Sequence, residues 1–270
     1  MSRLSANKEL LEYELFSRQA GVTAFSTTRR GGCSEGKYAS FNCSPYCGDD
    51  PASVCQNLQH LSTLLPVIPL DWVIPHQVHG TQVLSVGDDY INAPSVKRRE
   101  MLEGVDALVT DRHGFCLCVS TADCIPLIFH DSCRNVVAVA HAGWRGTVGR
   151  IVGKTLDCMS RMYGSRPSDV SVAIGPGISL EAFEVGVEVY EAFREAGFPM
   201  EKIARWYRPS SRWHIDLWMT NYWQLLEAGI PKEQIECSGV CTYLQCDDFF
   251  SARRLGIHSG RMLSGIMLLD

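Results

Sequence analysis

Three short segments put good metal ligands beside turns or at the ends of apolar runs: His76-Gln77-Val78-His79-Gly80, Ala122-Asp123-Cys124-Ile125-Pro126 and Ala140-His141-Ala142-Gly143-Trp144-Arg145-Gly146. An imidazole, a thiolate and a second imidazole suit a borderline-soft ion such as zinc and leave a fourth position for water or substrate. That ligand count belongs to a reactive site, not to a closed structural one. The alternative for Cys124 is a packed thiol, and for His141 an imidazole bonded to a backbone carbonyl at a strand end. No H-E-x-x-H or similar short motif ties the three together, so spacing alone leaves both readings open.

If the segment around residue 78 is extended, only one of its two histidines belongs to the set, because residues three apart on a strand point to opposite faces. Gln77, not His76, then shares a face with His79. Pro75 argues against a helix interior, and His79 leads into a glycine turn and a strand, so His79 is the expected ligand. His76 is left as a supporting or surface residue.

These segments need a scaffold. Ala107 to Thr110, Phe115 to Thr121, Pro126 to Phe129 and Val136 to Ala140 are short apolar runs separated by Gly, Asp, Asn or Ser. Such runs predict strands buried on both faces, a central sheet, although a buried helix carries the same signature. Thr81 to Val86 alternates like a strand, and Ile235 to Thr242 and Met262 to Leu269 read as late strands. Helical spacing covers residues 51–65, then Val148 to Met159, with Thr147 as the expected N-cap. Phe183, Val187, Tyr190 and Phe193 form another helical stripe and Trp218, Tyr222, Leu225 and Leu226 a third, with Gly197 and Gly229 as stop signals. The expectation is an α/β (α+β) fold, a mixed sheet or two sheets face to face with helices packed outside. With no repeat or long linker, residues 1–270 read as a single domain.

Composition narrows the function. The 270 residues are 46% hydrophobic, and 25 Lys+Arg against 30 Asp+Glu leave a net charge of −5 with no basic block. Nucleic acid is therefore not expected as the main partner. No apolar stretch nears the roughly 20 residues that span a bilayer, and Met1 to Phe16 mixes charges with leucines, so a cytoplasmic protein without membrane association is expected. The twelve cysteines are expected to be reduced, and Cys116-x-Cys118, Cys237-x3-Cys241 and Cys241-x4-Cys246 lack the paired C-x2-C knuckles of a structural zinc site.

The segments QVHG (77–80), DALVTD (106–111), ADCIP (122–126), HAGWRGT (141–147), IGPGIS (174–179), FEVG (183–186) and FFSARR (249–254) occur in this order. Together with TTRRGGCSEG and SFNCS near residues 27–44 and SGR at 259–261, they cover nearly the whole chain. In these motifs the sequence resembles the YfiH-like family, also called laccase-domain proteins, multicopper polyphenol oxidases and purine nucleoside phosphorylases. The resemblance implies an α/β domain built on a β-sandwich with helices outside and one zinc held by His79, Cys124 and His141. It implies phosphorolysis of adenosine, inosine, guanosine and methylthioadenosine, with hydrolytic deamination of adenosine. Purine nucleosides and phosphate are then the expected small-molecule partners.

On that reading Cys124, His141 and Asp123 are the catalytic candidates, and Asp123, Asp106 and His76 are the available proton donors for the leaving purine. Arg145, in a Gly-rich turn at an expected helix N-terminus, could hold phosphate. Arg30, Asn42 and Gln77 are further substrate-binding candidates, and Arg253 and Arg254 weaker ones. Gly175-Pro176-Gly177 could approach a ligand closely, and Trp144, Phe183, Tyr207, Trp213 and Tyr243 could stack on a purine.

Three competing functions are kept. A copper-dependent polyphenol oxidase fits the older family label and makes copper the alternative metal, yet the chain has eight His and no H-x-H pair for a multicopper cluster. A metal-free cysteine hydrolase would use Cys124 as nucleophile and His141 as base. A non-catalytic protein would only bind nucleotides or cell-wall precursors. Neither a P-loop nor the H-x-E…P-C-x-x-C pattern of zinc base deaminases is present.

Overall fold

Along Val136–Ala142 every side chain is buried, and strand alternation sends them two ways. Val137 and Val139 enter one apolar cluster, while Val136, Ala138, Ala140 and Ala142 enter another. Residues 125–131 and 170–174 divide in the same manner: Ile128 and Ala173 face the first cluster, and Leu127, Phe129, Val172 and Ile174 the second. A sheet made of such strands must be covered on both sides.

The computed structural model describes residues 2–269. Its strands, numbered in chain order, form three sheets. The first has the order β1 (Arg3–Leu4), β2 (Leu10–Glu12), β3 (Val22–Thr27), β15 (Met262–Leu268), β7 (Phe115–Thr121), β4 (Asp71–Val73). The second has the order β14 (Ile235–Cys237), β10 (Val170–Ile174), β8 (Ile125–Asp131), β9 (Val136–Ala142), β6 (Val105–Thr110), β5 (Gln82–Ser85). A small third sheet joins β11 (Glu184–Val185), β13 (Arg212–Ile215) and β12 (Ala204–Tyr207). The pairs β4/β7, β5/β6 and β10/β14 are parallel and the others antiparallel, so both large sheets are mixed.

The two large sheets face each other. Leu117, Val119, Ile266 and Leu268 of the first meet Val105, Leu108, Ile128 and Val139 of the second in one buried cluster. Helix Pro51–Leu64 covers the outer face of the first sheet, placing Leu61 with Phe25, Cys116, Cys118 and Met267. Asp50 caps this helix by accepting the Ser53 N–H at 3.0 Å, and Pro51 follows at its first position. Helix Ile151–Tyr163 buries Ile151, Val152, Thr155, Leu156 and Met159 on the outer face of the second sheet. Helices Val187–Glu195 and Leu217–Glu227 add Val189, Phe193 and Leu225 to the same cluster. The architecture is a sheet-on-sheet sandwich with helices outside. Among the described residues, no helix is long and apolar enough to cross a membrane.

Several expected elements shift. Thr147 is no N-cap: the short helix Trp144–Val148 starts after Gly143, whose carbonyl accepts the Thr147 N–H at 2.8 Å. Arg150, in the left-handed region, then separates it from Ile151–Tyr163. Phe183 precedes β11 and does not join the helical stripe, which starts at Val187. The strand expected over 235–242 ends at Cys237: Gly239 adopts a φ of 65°, and Cys241 forms an isolated bridge with Gly177 outside the strands.

The inter-sheet cluster supplies a stability prediction. Leu108→Ala removes a fully buried side chain between the sheets and should lower unfolding free energy by about 2–5 kcal/mol. Ile68→Ala, at a site 70% exposed, should change it by less than about 0.5 kcal/mol. Denaturant midpoints of the two variants provide the comparison.

Candidate metal centre and cleft

Strand parity aims His141. On β9 the inter-sheet face carries Val137 and Val139, and His141 continues that face at the strand's end. Ala107 of β6 pairs with Ala140 of β9, which puts Asp106 beside His141. Asp106 Oδ1 accepts the His141 Nδ1–H at 2.8 Å, so Nε2 is the nitrogen directed away from the core.

The same carboxylate organises the other imidazole. Asp106 accepts the backbone N–H groups of Val78 (3.3 Å), His79 (3.1 Å) and Gly80 (2.7 Å). These bonds hold a turn in which His79 has a φ of 61°, a left-handed conformation that costs a non-glycine residue roughly 1–3 kcal/mol unless its surroundings impose it. The segment is therefore not the extended strand that sequence alternation assumed. His79 reaches the site because its turn wraps around a carboxylate, while β5 begins only at Gln82.

Cys124 arrives by a third route. β7 lies in the first sheet and β8 in the second, and Ala122, Asp123 and Cys124 make the crossing. Asp123, at a φ of 88°, is pinned on three sides: its carboxylate accepts Thr242 Oγ1–H and the Arg253 N–H, both at 2.7 Å, and its carbonyl accepts the Ile178 N–H at 2.9 Å. Gly177 packs under this crossing so closely that a Cβ would lie 3.0 Å from the Asp123 carbonyl oxygen and 2.3 Å from Ile125 Cδ1. At Gly143 a Cβ would lie 3.0 Å from Cys124 Sγ and 3.2 Å from His79 Cδ2. A larger residue there must displace two of the three prospective ligands.

The ligand atoms of His79, Cys124 and His141 all lie within 4.8 Å of one another. Two imidazoles and one thiol suit zinc, with bonds of about 2.0–2.3 Å, and the buried carboxylate behind His141 is the usual support for a metal-bound imidazole. Burial opposes a Cys124 thiolate, but the His141 and His79 imidazoles outweigh it and bring the thiol down to about 6. Burial likewise opposes a charged His141, yet Cys124 and Asp106 together raise it to about 9. Asp106 stays below the usual carboxylate range: burial raises it, and its bonds to His141, Gly80 and Val78 lower it further.

The three side chains form part of the wall of a cleft of about 580 Å³, a size typical of small-molecule sites. Asp123, Gln77, His76, Phe183 and Arg253 also line it. Gln77 uses both ends of its amide on the Ser120 backbone, at 3.0 and 2.7 Å, and so braces the end of β7. Other substrate-binding candidates lie elsewhere. Arg145 is exposed, with its guanidinium 4.3 Å from the Trp144 ring centroid, because the early helix start turns its side chain outward. Arg30 pairs with Asp248. Asn42 is buried, accepting the Arg261 N–H at 3.0 Å and donating to Asp49 at 2.8 Å, so it shapes a cleft loop from behind. Arg254 stands 5.3 Å from the Tyr243 ring centroid and does not line the cleft.

Among the aromatic candidates only Phe183 lines the cleft. Trp213 stacks on Tyr190 and Tyr207 on His214, while Trp144 packs on the core under Arg145. Tyr46 and Arg261 are cleft residues that sequence reasoning did not single out. The signal for them was position: Tyr46 closely follows SFNCS, and Arg261 ends SGR.

Metal affinity should follow these charges. Binding must expel the His141 proton below about pH 9 and the Cys124 proton below about pH 6. Affinity should therefore fall about tenfold per unit as pH drops from 9 to 6, and more steeply below 6. Competition titrations against a chelator across this range would read the slope.

Residues 23–269 match the family model described as multi-copper polyphenol oxidoreductase laccase. A purine nucleoside phosphorylase of Bacteroides thetaiotaomicron is 50% identical over 268 residues, 99% of each chain. A protein named adenosine deaminase RL5, from an unknown prokaryotic organism, is 41% identical, covering 96% of this chain and 98% of that one. The crystal structure of the Bacillus licheniformis hypothetical protein YfiH superposes with a TM-score of 0.89 at 34% identity, over 99% and 98% of the two chains. This chain thus belongs to the laccase-like YfiH family.

Proposed function

We propose that this protein is a zinc-dependent purine nucleoside phosphorylase acting on adenosine, inosine, guanosine and methylthioadenosine, with adenosine deaminase activity at the same site. The observation that carries the reading is the convergence of His79, Cys124 and His141 at one cleft large enough for a nucleoside. The names of the relatives support the substrate class.

A zinc ion held by these three side chains would supply positive charge that attracts an anionic nucleophile and stabilises developing negative charge. The chain's own residues do the rest. Asp106 keeps the His141 proton on Nδ1 and the His79 turn in place. Arg253 takes the phosphate-binding role first considered for Arg145, because it lines the cleft while Arg145 does not. Its backbone N–H holds Asp123, and its guanidinium lies 5.6 Å from the Phe183 ring centroid, so charge and apolar surface adjoin at this wall. Asp123 acts as a brace for the Cys124 crossing, since both carboxylate oxygens are occupied as acceptors.

One observation favours a second reading. Cys124, His141 and Asp106 also form a thiol–imidazole–carboxylate arrangement, which a metal-free cysteine hydrolase would use. Copper-dependent polyphenol oxidation has less support: among the described residues, one His/Cys group alone has ligating geometry, whereas a multicopper cluster needs more.

Cys124→Ala should lose bound metal and phosphate-dependent release of purine from inosine together, whereas Arg253→Ala should keep the metal and require more phosphate. Metal analysis of protein purified without added copper, with parallel inosine and phenol assays, checks both. Full activity in chelated protein would favour the cysteine hydrolase, and phenol oxidation that scales with copper, without purine release, would favour the oxidase.

A further inference from the structure

Cleavage of a purine nucleoside leaves an electron pair on the base, so the reaction needs a proton donor at the purine. Asp106 cannot serve, being buried behind His141 and engaged by His141 and three backbone N–H groups. Asp123 holds Thr242 and the Arg253 backbone with its two oxygens. In the same cleft the Cys47 thiol donates to Asn42 Oδ1 at 3.4 Å, and burial pushes it up. Tyr46 Oη–H donates to the Ile74 carbonyl at 3.3 Å, and burial raises it also. Arg253 and Arg261 hold their protons at any working pH. With His79, Cys124 and His141 given to the metal, His76 is the ionisable side chain that remains among the described residues lining the cleft.

His76 is unusually constrained for a partly exposed side chain. Its backbone N–H donates to the Leu102 carbonyl and its carbonyl accepts the Gly104 N–H, each at 3.0 Å, in a parallel bridge with Glu103. Its Nδ1 lies 2.7 Å from Glu103 Oε1, and its ring stacks on Tyr46 with centroids 4.8 Å apart and planes 28° from parallel. The His76 and Glu103 side chains are 42% and 62% exposed, so their pair adds little stability. What these contacts do is fix a direction: Nδ1 is committed to Glu103, and Nε2 remains for a ligand.

We propose that His76 is a catalytic residue that delivers a proton from Nε2 to N7 of the leaving purine, with Glu103 and Tyr46 as positioning residues. This rests on the phosphorylase reading above. In the step, an oxygen of hydrogen phosphate bonds to C1′ as the C1′–N9 bond breaks. The bonding pair enters the purine ring, and N7 takes the His76 proton. The proton released by hydrogen phosphate returns to His76 through solvent, so protons balance over the turnover.

The test compares guanosine with 7-methylguanosine, whose N7 already carries a methyl group and whose base departs without a proton. Zinc-loaded wild type, His76→Gln and Glu103→Gln are assayed for phosphate-dependent base release, with bound metal measured in each. His76→Gln should lose about 10²–10⁴-fold in kcat/KM on guanosine, keep its metal, and cleave 7-methylguanosine nearly as wild type does. Glu103→Gln should shift the ratio in the same direction by less. Equal losses on both nucleosides in His76→Gln, or no loss on either, with an active wild type would overturn the His76 assignment alone. A wild type that releases base from neither nucleoside would overturn the phosphorylase reading and this proposal with it.

Discussion

The Asp106 carboxylate is the interaction on which the rest of the site depends. It is fully buried at the end of β6, where an isolated charge would be costly, and its partners explain why it is tolerated. One oxygen receives the His141 ring N–H and the His79 backbone, and the other receives the backbone of Val78 and Gly80. Two imidazoles far apart in sequence are thereby oriented by a single group. The left-handed turn at His79 becomes affordable because several hydrogen bonds converge on it.

The third prospective ligand depends on topology. A sandwich end is a natural place for a cleft, because chains passing between sheets must leave the apolar layer and satisfy their backbone groups elsewhere. The Asp123–Cys124 crossing does so through Thr242, Arg253 and Ile178, contributed by segments that follow β14 or β10 in the chain. Gly143 and Gly177 then permit the close approach that brings the thiol to the imidazoles. A small change in packing beneath this crossing would move Sγ directly.

Electrostatics and packing agree at the centre. A buried thiol ordinarily resists ionisation, yet two imidazoles favour the thiolate, and the thiolate and carboxylate in turn favour the His141 cation. Such a pair is ready to exchange protons for a metal ion, and equally resembles the start of cysteine catalysis. The cleft around it is asymmetric: Arg253 and Phe183 line one part, and the Tyr46–His76 stack another. That division offers separate environments for an anion and a heterocycle.

Much of this was legible along the chain. The apolar runs of β6 to β9 declared strands buried on both faces, and their alternation survives as the split between the two apolar clusters. The QVHG, ADCIP and HAGW motifs identified the side chains that meet, because ligand type is a local property. The directions in which side chains point were less legible. Asp106 reads as a candidate proton donor, Arg145 as an anion binder at a helix start, and His79 as a residue of an extended segment that leads into a turn. Each reading lacked something the fold supplies: β9 beside Asp106, the outward turn of Arg145 over its neighbour Trp144, and the Asp106 carboxylate inside the His79 turn. The amino-acid sequence by itself determined the alternating core, the family motifs and the chemical identity of the three prospective ligands. Only the tertiary structure decided their common meeting point and the placement of His76 against Glu103, because cross-strand register and backbone hydrogen bonds join residues that local periodicity cannot relate.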